Sequence, residues 1–84
     1  MIYRLFISKI AEKNLAQLSL KDRRRIDLGF GKIMESPFAG KKLNGKLQGA
    51  YSIRVWPFRI LYKIQQKKLV ILVLKVVHRK EAYK

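Results

Sequence analysis

The 84-residue chain contains no cysteine and a single histidine, His78. A disulfide or a thiolate metal site is therefore impossible, and so is a metal site built from several histidines. The longest apolar run, from Leu69 to Leu74, is far too short to span a bilayer. The alternating residues after Met1 fit neither a signal peptide nor a transit peptide. These absences lead us to expect a protein of the reducing cytoplasm.

Acidic residues are also scarce. The chain has 20 lysines and arginines against five aspartates and glutamates, which gives a formal net charge of +15. The imbalance is strongest in residues 36–84, where Glu81 is the one acidic side chain among twelve basic ones. Such a field attracts nucleic acid, acidic protein or anionic lipid, and the charge alone does not choose among them.

The length and pattern of the chain predict one domain, residues 1–84, with one modest core. Alternation over residues 2–7 predicts a strand. Helical spacing of apolar residues predicts helices from Lys9 to Leu18 and from Leu20 to Glu35, with Ser8 and Ser19 as N-caps. Pro37 ends the second helix because the residue before a proline is pushed out of the helical region.

The residue pattern in the second half of the chain predicts a loop over residues 38–48 and strands over residues 50–56, 58–65 and 69–77. The element order is therefore β-α-α-β-β-β. The last three strands should form a meander, and the apolar last strand needs the first strand as its other neighbour. We expect an α+β fold with two N-terminal helices on one face of a four-stranded antiparallel sheet. The other face is left open.

Gly29 and Gly31 lie inside the second predicted helix, where each costs about 1 kcal/mol relative to alanine. Close packing against a neighbour explains them better than a phosphate-binding loop, because no strand precedes them. The rings of Tyr3, Phe6, Phe30 and Trp56 are expected in the core rather than on a stacking surface.

Arg54 and Arg59 flank the Trp56-Pro57 pair, with strand-like sequence on both sides. A tight turn there brings the two guanidinium groups side by side on a sheet. Each is a planar fork of donors that stays charged, and two of them make a phosphate clamp. The hairpin from Tyr51 to Tyr62 is therefore our candidate for half of an RNA-handling site.

Three stretches carry a resemblance to a known family: Lys42–Val55, Phe58–Tyr62 and Val77–Tyr83. They resemble the RelE/ParE toxin superfamily, and its RelE branch in particular, over the whole chain. The resemblance implies a monomeric toxin of a type II toxin–antitoxin pair that enters the ribosomal A site and cleaves the mRNA. The implied reaction needs no metal or other cofactor: a ribose 2′-hydroxyl attacks the adjacent phosphate. The implied partners are an acidic antitoxin, the ribosome and mRNA, without any membrane.

The resemblance also assigns residues. Arg54 and Arg59 match basic positions of the two hairpin strands, and Arg79 and Tyr83 match a C-terminal arginine and tyrosine. Ser52 departs from the family, which often has a basic residue there. The Trp56-Pro57 turn departs as well. The first difference removes one positive charge, and the second affects the angle between the arginines.

The general base stays open between His78 and Tyr83. Imidazole is chemically better suited near neutral pH, whereas a phenol is a poor base unless positive charge lowers its pKa. Tyr83 has a second possible role, stacking on an mRNA base. Four lysines are expected to contact RNA backbone without reading sequence: Lys41, Lys42, Lys46 and Lys75.

Two other functions remain open at this point. A ParE-like toxin inhibits DNA gyrase instead of cleaving mRNA, and a non-catalytic basic module only binds nucleic acid or an acidic partner.

Overall fold

The computed structural model describes residues 3–82, which form five strands and three helices. The elements are, in chain order, β1 (Arg4–Ile7), α1 (Lys9–Ala16), α2 (Leu20–Glu35), β2 (Lys41–Lys42), β3 (Ala50–Val55), β4 (Phe58–Gln65), β5 (Val70–His78) and α3 (Arg79–Ala82). Single 3₁₀ turns lie at Pro37–Ala39, Gly45–Leu47 and Gln66–Lys68. No helix in this part of the chain is long and apolar enough to cross a membrane.

The strands form one sheet in the order β1-β5-β4-β3-β2. The predicted meander of β3, β4 and β5 is confirmed, and so is the pairing of the first strand with the last. The prediction of four antiparallel strands is wrong in two respects. β1 runs parallel to β5, because a helical crossover, not a hairpin, connects β1 to the rest of the sheet. The segment predicted as a loop also adds a fifth strand, β2, along β3.

The register divides the sheet into two unlike faces, since directly opposed residues of antiparallel strands point the same way. On one face, the opposed pairs are Tyr51 with Tyr62, Ile53 with Ile60, and Val55 with Phe58. The helices cover this face. The buried apolar core consists of Ala11, Leu15, Ile26, Phe30, Ile33, Phe58, Ile60, Tyr62, Ile71, Val73 and Val76. The opposite face is left open, as predicted.

Local signals determine where the helices begin and end. Ser8 Oγ accepts a hydrogen bond from the Ala11 N–H at 3.1 Å, and Ser19 Oγ accepts one from the Asp22 N–H at 3.2 Å. Both predicted N-caps are therefore confirmed. α2 ends at Glu35, just ahead of the proline, whereas α1 stops at Ala16, two residues before the predicted end.

The two glycines of α2 have different surroundings. A Cβ at Gly29 would lie 2.6 Å from Val55 Cγ2 and 2.9 Å from Ile60 Cδ1, far inside ordinary contact distance. A Cβ at Gly31 would meet no described atom within 4 Å. Close packing thus explains Gly29, which lets α2 approach β3 and β4, but it does not explain Gly31.

β5 carries a bulge that changes which side chains face the core. Its register against β4 shifts between Leu61 and Tyr62, and Leu74 is the extra residue. The Ser8 hydroxyl donates to the Leu74 carbonyl at 2.8 Å, and the Asn14 side-chain oxygen accepts from the Val76 N–H at 3.1 Å. Val73 and Val76 are therefore both buried although they are three residues apart.

Candidate active site

The two arginines of the hairpin lie side by side. Arg54 is directly opposite Arg59, and the pair belongs to the open face of the sheet. Directly opposed Cβ atoms on antiparallel strands are about 4.5–5.5 Å apart. The connection is the predicted two-residue turn, Trp56-Pro57, whose peptide bond is cis. The two arginines therefore start from neighbouring positions of one face, and a phosphate between them would offset the repulsion of their like charges.

A buried serine holds one of these arginines. Arg59 Nη1 donates to Ser52 Oγ at 3.4 Å, and Ser52 is only 4% exposed. The bond is long and therefore weak, but it directs the guanidinium along the open face. Lys41 lies opposite Ser52 on β2 and brings an exposed cation to the same face. The charge absent at position 52 is thus supplied from the neighbouring strand.

The other predicted lysines are spread over different surfaces. Lys75 lies opposite Leu61 and is exposed on the open face. Lys42 lies opposite Tyr51, so it belongs to the helix side, and Lys46 lies in the 3₁₀ turn outside the sheet.

The open face holds a further cation that was not predicted as a site residue. Lys63 lies opposite Ala50 and is exposed. Lys63 is an even number of residues from Arg59 along β4, so strand alternation places both side chains on the same face. This spacing is visible in the sequence.

Arg79 begins α3 at the same end of the sheet as the arginine pair. Its N–H donates to the Pro57 carbonyl at 2.8 Å, and its guanidinium carbon lies 4.8 Å from the centre of the Trp56 ring. This is a cation–π contact. Trp56 is 57% exposed, so the expectation of a core tryptophan is wrong, as it is for Phe6, which is 46% exposed.

The structure separates His78 from the arginines. His78 lies opposite Phe58 and packs edge-on against it at 5.5 Å between ring centres, on the helix side of the sheet. Its Nδ1 accepts from the Lys80 N–H at 3.3 Å. The bulge at Leu74 sets this orientation, because strict alternation from Val73 would place His78 on the open face. Tyr83, the other candidate base, lies outside the described residues.

Tyr62 is a titratable group buried beneath the site. Its hydroxyl donates to the Pro37 carbonyl at 2.8 Å, on the helix side of the sheet. Burial raises the pKa of this phenol above its ordinary value of 10.0, and a backbone hydrogen bond from Gly40 partly opposes the effect. Tyr62 is therefore protonated at neutral pH and acts as a structural link between β4 and the turn after α2.

The open face is thus a cationic surface on which Arg54 and Arg59 lie directly opposite each other. Among the side chains of residues 3–80, no group of three or more histidines, aspartates or glutamates is gathered to hold a metal ion. The chemistry available from this surface is binding of a phosphodiester and neutralisation of charge that develops on it.

Comparison with known proteins identifies the family. The sequence model described as the ParE toxin of the type II toxin–antitoxin system, parDE, matches residues 5–83. The chain belongs to this toxin family. The curated Toxin RelG of Mycobacterium tuberculosis is 32% identical to it over 60 residues, which are 70% of this chain and 69% of that protein. The resemblance to the RelE/ParE superfamily is therefore confirmed.

Solved structures of toxins share the fold over nearly the whole chain. The toxin–antitoxin complex RelBE2 of Mycobacterium tuberculosis contains a chain with a TM-score of 0.86 and 27% identity, covering 94% of this toxin and 100% of that chain. The archaeal RelE–RelB complex of Pyrococcus horikoshii gives a TM-score of 0.79 and 29% identity, covering 94% and 97%. The helix-on-sheet architecture of the toxin is thus that of RelE structures.

Proposed function

We propose that this toxin is a ribosome-dependent endoribonuclease that cleaves mRNA in the ribosomal A site. The observation that carries the proposal is the directly opposed pair of Arg54 and Arg59 on an open cationic face, with Arg59 held by the buried Ser52. The RelE-type names of the similar proteins reported above support the same function.

In the proposed reaction the ribose 2′-oxygen attacks the adjacent phosphorus, and the bond from phosphorus to the 5′-oxygen of the next nucleotide breaks. The 2′-hydroxyl proton passes to a base, and the leaving 5′-oxygen takes up a proton. The products are a 2′,3′-cyclic phosphate and a 5′-hydroxyl end. Negative charge accumulates on the phosphoryl oxygens during the step, and preorganised cations stabilise it.

Arg54 and Arg59 take the phosphoryl charge in this proposal. Arg79, at the same end of the sheet, holds the phosphate or donates to the leaving oxygen. Arginine does not serve as the base because it stays protonated. We assign the base or base-stacking role to Tyr83, since His78 lies on the face opposite the arginine pair. The ribosome completes the geometry by fixing the mRNA in position, which is orientation supplied by a partner.

The partners follow from charge. Lys41, Lys63 and Lys75 contribute to affinity for RNA backbone through counterion release, whichever sequence is bound. A cognate antitoxin with an acidic, helical segment would cover the same open face, and the RelBE2 and RelE–RelB structures are toxin–antitoxin complexes. The toxin then acts in the cytoplasm, where ribosomes translate.

The test is to map mRNA ends in a translating extract with and without the toxin. Wild type should produce new ends inside translated regions. Arg59→Ala should lower the cleavage rate about 10²–10³-fold, as expected for removal of one preorganised donor, and Tyr83→Phe should also slow it. Lys67→Ala, at the far end of β4, is the matched control and should cleave normally. The proposal is wrong if no ends appear, and the site is wrong if Arg59→Ala cleaves like wild type.

The name of the matching family supports a second candidate, ParE-like inhibition of DNA gyrase. Expression of the toxin would then cause double-strand breaks and DNA-damage induction while mRNA stays intact. Binding of RNA with a steep salt dependence, without cleavage or DNA breaks, would instead indicate a non-catalytic basic module.

A further inference from the structure

A cavity lies between α2 and the edge of β3, beside the hairpin turn. Its volume is about 280 Å³. The walls come from Arg25, Leu28, Gly29 and Lys32 of α2 and from Arg54, Val55 and Trp56. This volume is just below the roughly 300–1,000 Å³ of typical small-molecule sites. The cavity therefore suits one nucleotide unit better than a helix of a protein partner.

Three of the lining residues are cations: Arg25, Lys32 and Arg54. Arg25 has a weak partner, since its Nη1 lies 3.8 Å from Asp22 Oδ1 and both side chains are partly exposed. Among the side chains that the structure describes, no hydrogen bond or ion pair engages Lys32 or Arg54. The cavity therefore carries excess positive charge with donors available to an anion.

The same cavity has an exposed apolar wall. Trp56 is 57% exposed and Leu28 is 72% exposed, so neither is retained by core packing. An exposed aromatic ring beside cations is the arrangement on which proteins stack single-stranded bases. Trp56 also contacts Arg79. One ring thus borders both the cavity and the candidate active site.

Arg54 connects the two places. It lies opposite Arg59 across the hairpin, and it is also one of the residues that line the cavity. β2 pairs only with Tyr51 and Ser52 within the described chain, so the edge of β3 next to Arg54 is left uncovered by a strand. A strand of RNA bound at the arginine pair can therefore continue around this edge.

We propose that the cavity is a second RNA subsite, which holds the nucleotide next to the scissile phosphate. Arg25 and Lys32 bind its phosphate, and Trp56 contacts its base. The position relative to the scissile phosphate rests on the proposed cleavage function, but RNA binding in the cavity is measurable without cleavage. An acidic peptide is less suited, because it would use the cations and leave the indole without a stacking partner.

The experiment titrates the purified full chain with a single-stranded hexaribonucleotide while recording the fluorescence of Trp56, the one tryptophan of the chain. The test variant is Arg25→Gln with Lys32→Gln, both exposed on α2. The charge-matched control is Lys67→Gln with Lys68→Gln, exposed at the opposite end of β4. Circular dichroism verifies that each variant is folded.

We expect RNA to change Trp56 emission in wild type and in the control. The test variant should bind about tenfold more weakly, and its salt slope should fall by about 0.7, the value for one lost phosphate contact with a single strand. If RNA affinity falls equally in the test variant and in the control, the RNA is held by general charge attraction and the subsite proposal is overturned. Unchanged binding in the test variant also overturns it. An emission change with a hexaglutamate peptide but not with RNA assigns the cavity to an acidic protein instead.

The outcomes separate this proposal from the cleavage function. Arg59→Ala should lose cleavage on ribosomes and still show the Trp56 response to RNA. If wild type does not cleave mRNA but the test variant alone loses RNA affinity, the proposed function fails and the subsite stands.

Discussion

The stability of the Gly29→Ala variant tests how closely α2 approaches the sheet. The matched control is Gly31→Ala, two residues away on the same helix. Alanine is favoured over glycine in a helix interior by about 1 kcal/mol, so both substitutions gain this amount. At Gly29 the new methyl carbon would lie 2.6 Å from Val55 Cγ2 and 2.9 Å from Ile60 Cδ1. At Gly31 no described atom lies within 4 Å. Packing is therefore the one term that differs.

The packing cost at Gly29 is difficult to relieve. Val55 is β-branched and stiff about χ1, and Ile60 is fully buried. Relief requires α2 to move, and overpacking of this kind costs about 1–3 kcal/mol. We expect Gly31→Ala to stabilise the fold by about 1 kcal/mol and Gly29→Ala to destabilise it by up to about 2 kcal/mol after the gain in helix propensity.

Thermal unfolding followed by circular dichroism gives the answer, because 1 kcal/mol corresponds to about 4–8 °C in Tm for a domain of this size. The two variants should differ by at least about 4 °C, with Gly31→Ala the more stable. Equal melting temperatures would refute the close approach of α2 to β3 and β4.

Two further predictions follow from buried hydroxyls. Tyr62→Phe should lower the free energy of unfolding by about 1–3 kcal/mol, since the Pro37 carbonyl loses its donor. Burial raises the pKa of Tyr62, so its contribution to stability is fully present below pH 10.0 and is lost as the pH rises through the folded-state pKa. Urea unfolding at alkaline pH should therefore show that the free energy of unfolding falls more steeply in wild type than in Tyr62→Phe. Ser52→Ala should slow mRNA cleavage about fivefold, because a long hydrogen bond of about 1 kcal/mol no longer orients Arg59. An unchanged rate, measured beside Arg59→Ala, would show that Ser52 does not position the guanidinium.

Much of the fold was predictable because its signals are local. Ser8 and Ser19 cap helices through bonds to residues three positions later, and α2 ends at Glu35, two residues before Pro37. Apolar spacing identified both long helices and the three strands of the meander. The pairing of Arg54 with Arg59 was also predictable, because a two-residue turn between alternating strands leaves one register.

The candidate site was predictable only where it depends on that hairpin. In the sequence, Ser52 indicated only the absence of a basic residue. In the structure, its buried hydroxyl accepts a hydrogen bond from Arg59, and Lys41 lies opposite it. β2 has two lysines and no strand signature, so only its pairing with β3 reveals this cation. The cavity beside Trp56 likewise depends on how closely α2 approaches the sheet. That distance is not predictable without knowing which residues Gly29 contacts.

Local sequence patterns were sufficient to predict the two N-terminal helices with their caps, the meander, the basic character and the paired arginines of this toxin. The tertiary structure alone decided the parallel direction of β1, the extra strand β2 and the side of the sheet to which His78 belongs. The physical reason is the distance along the chain between interacting groups. The bulge that turns His78 toward Phe58 is bonded by Ser8, 66 residues away from Leu74, and the next strand N–H is bonded by Asn14, 62 residues away from Val76. Periodicity within a short window of sequence does not indicate partners so far away along the chain.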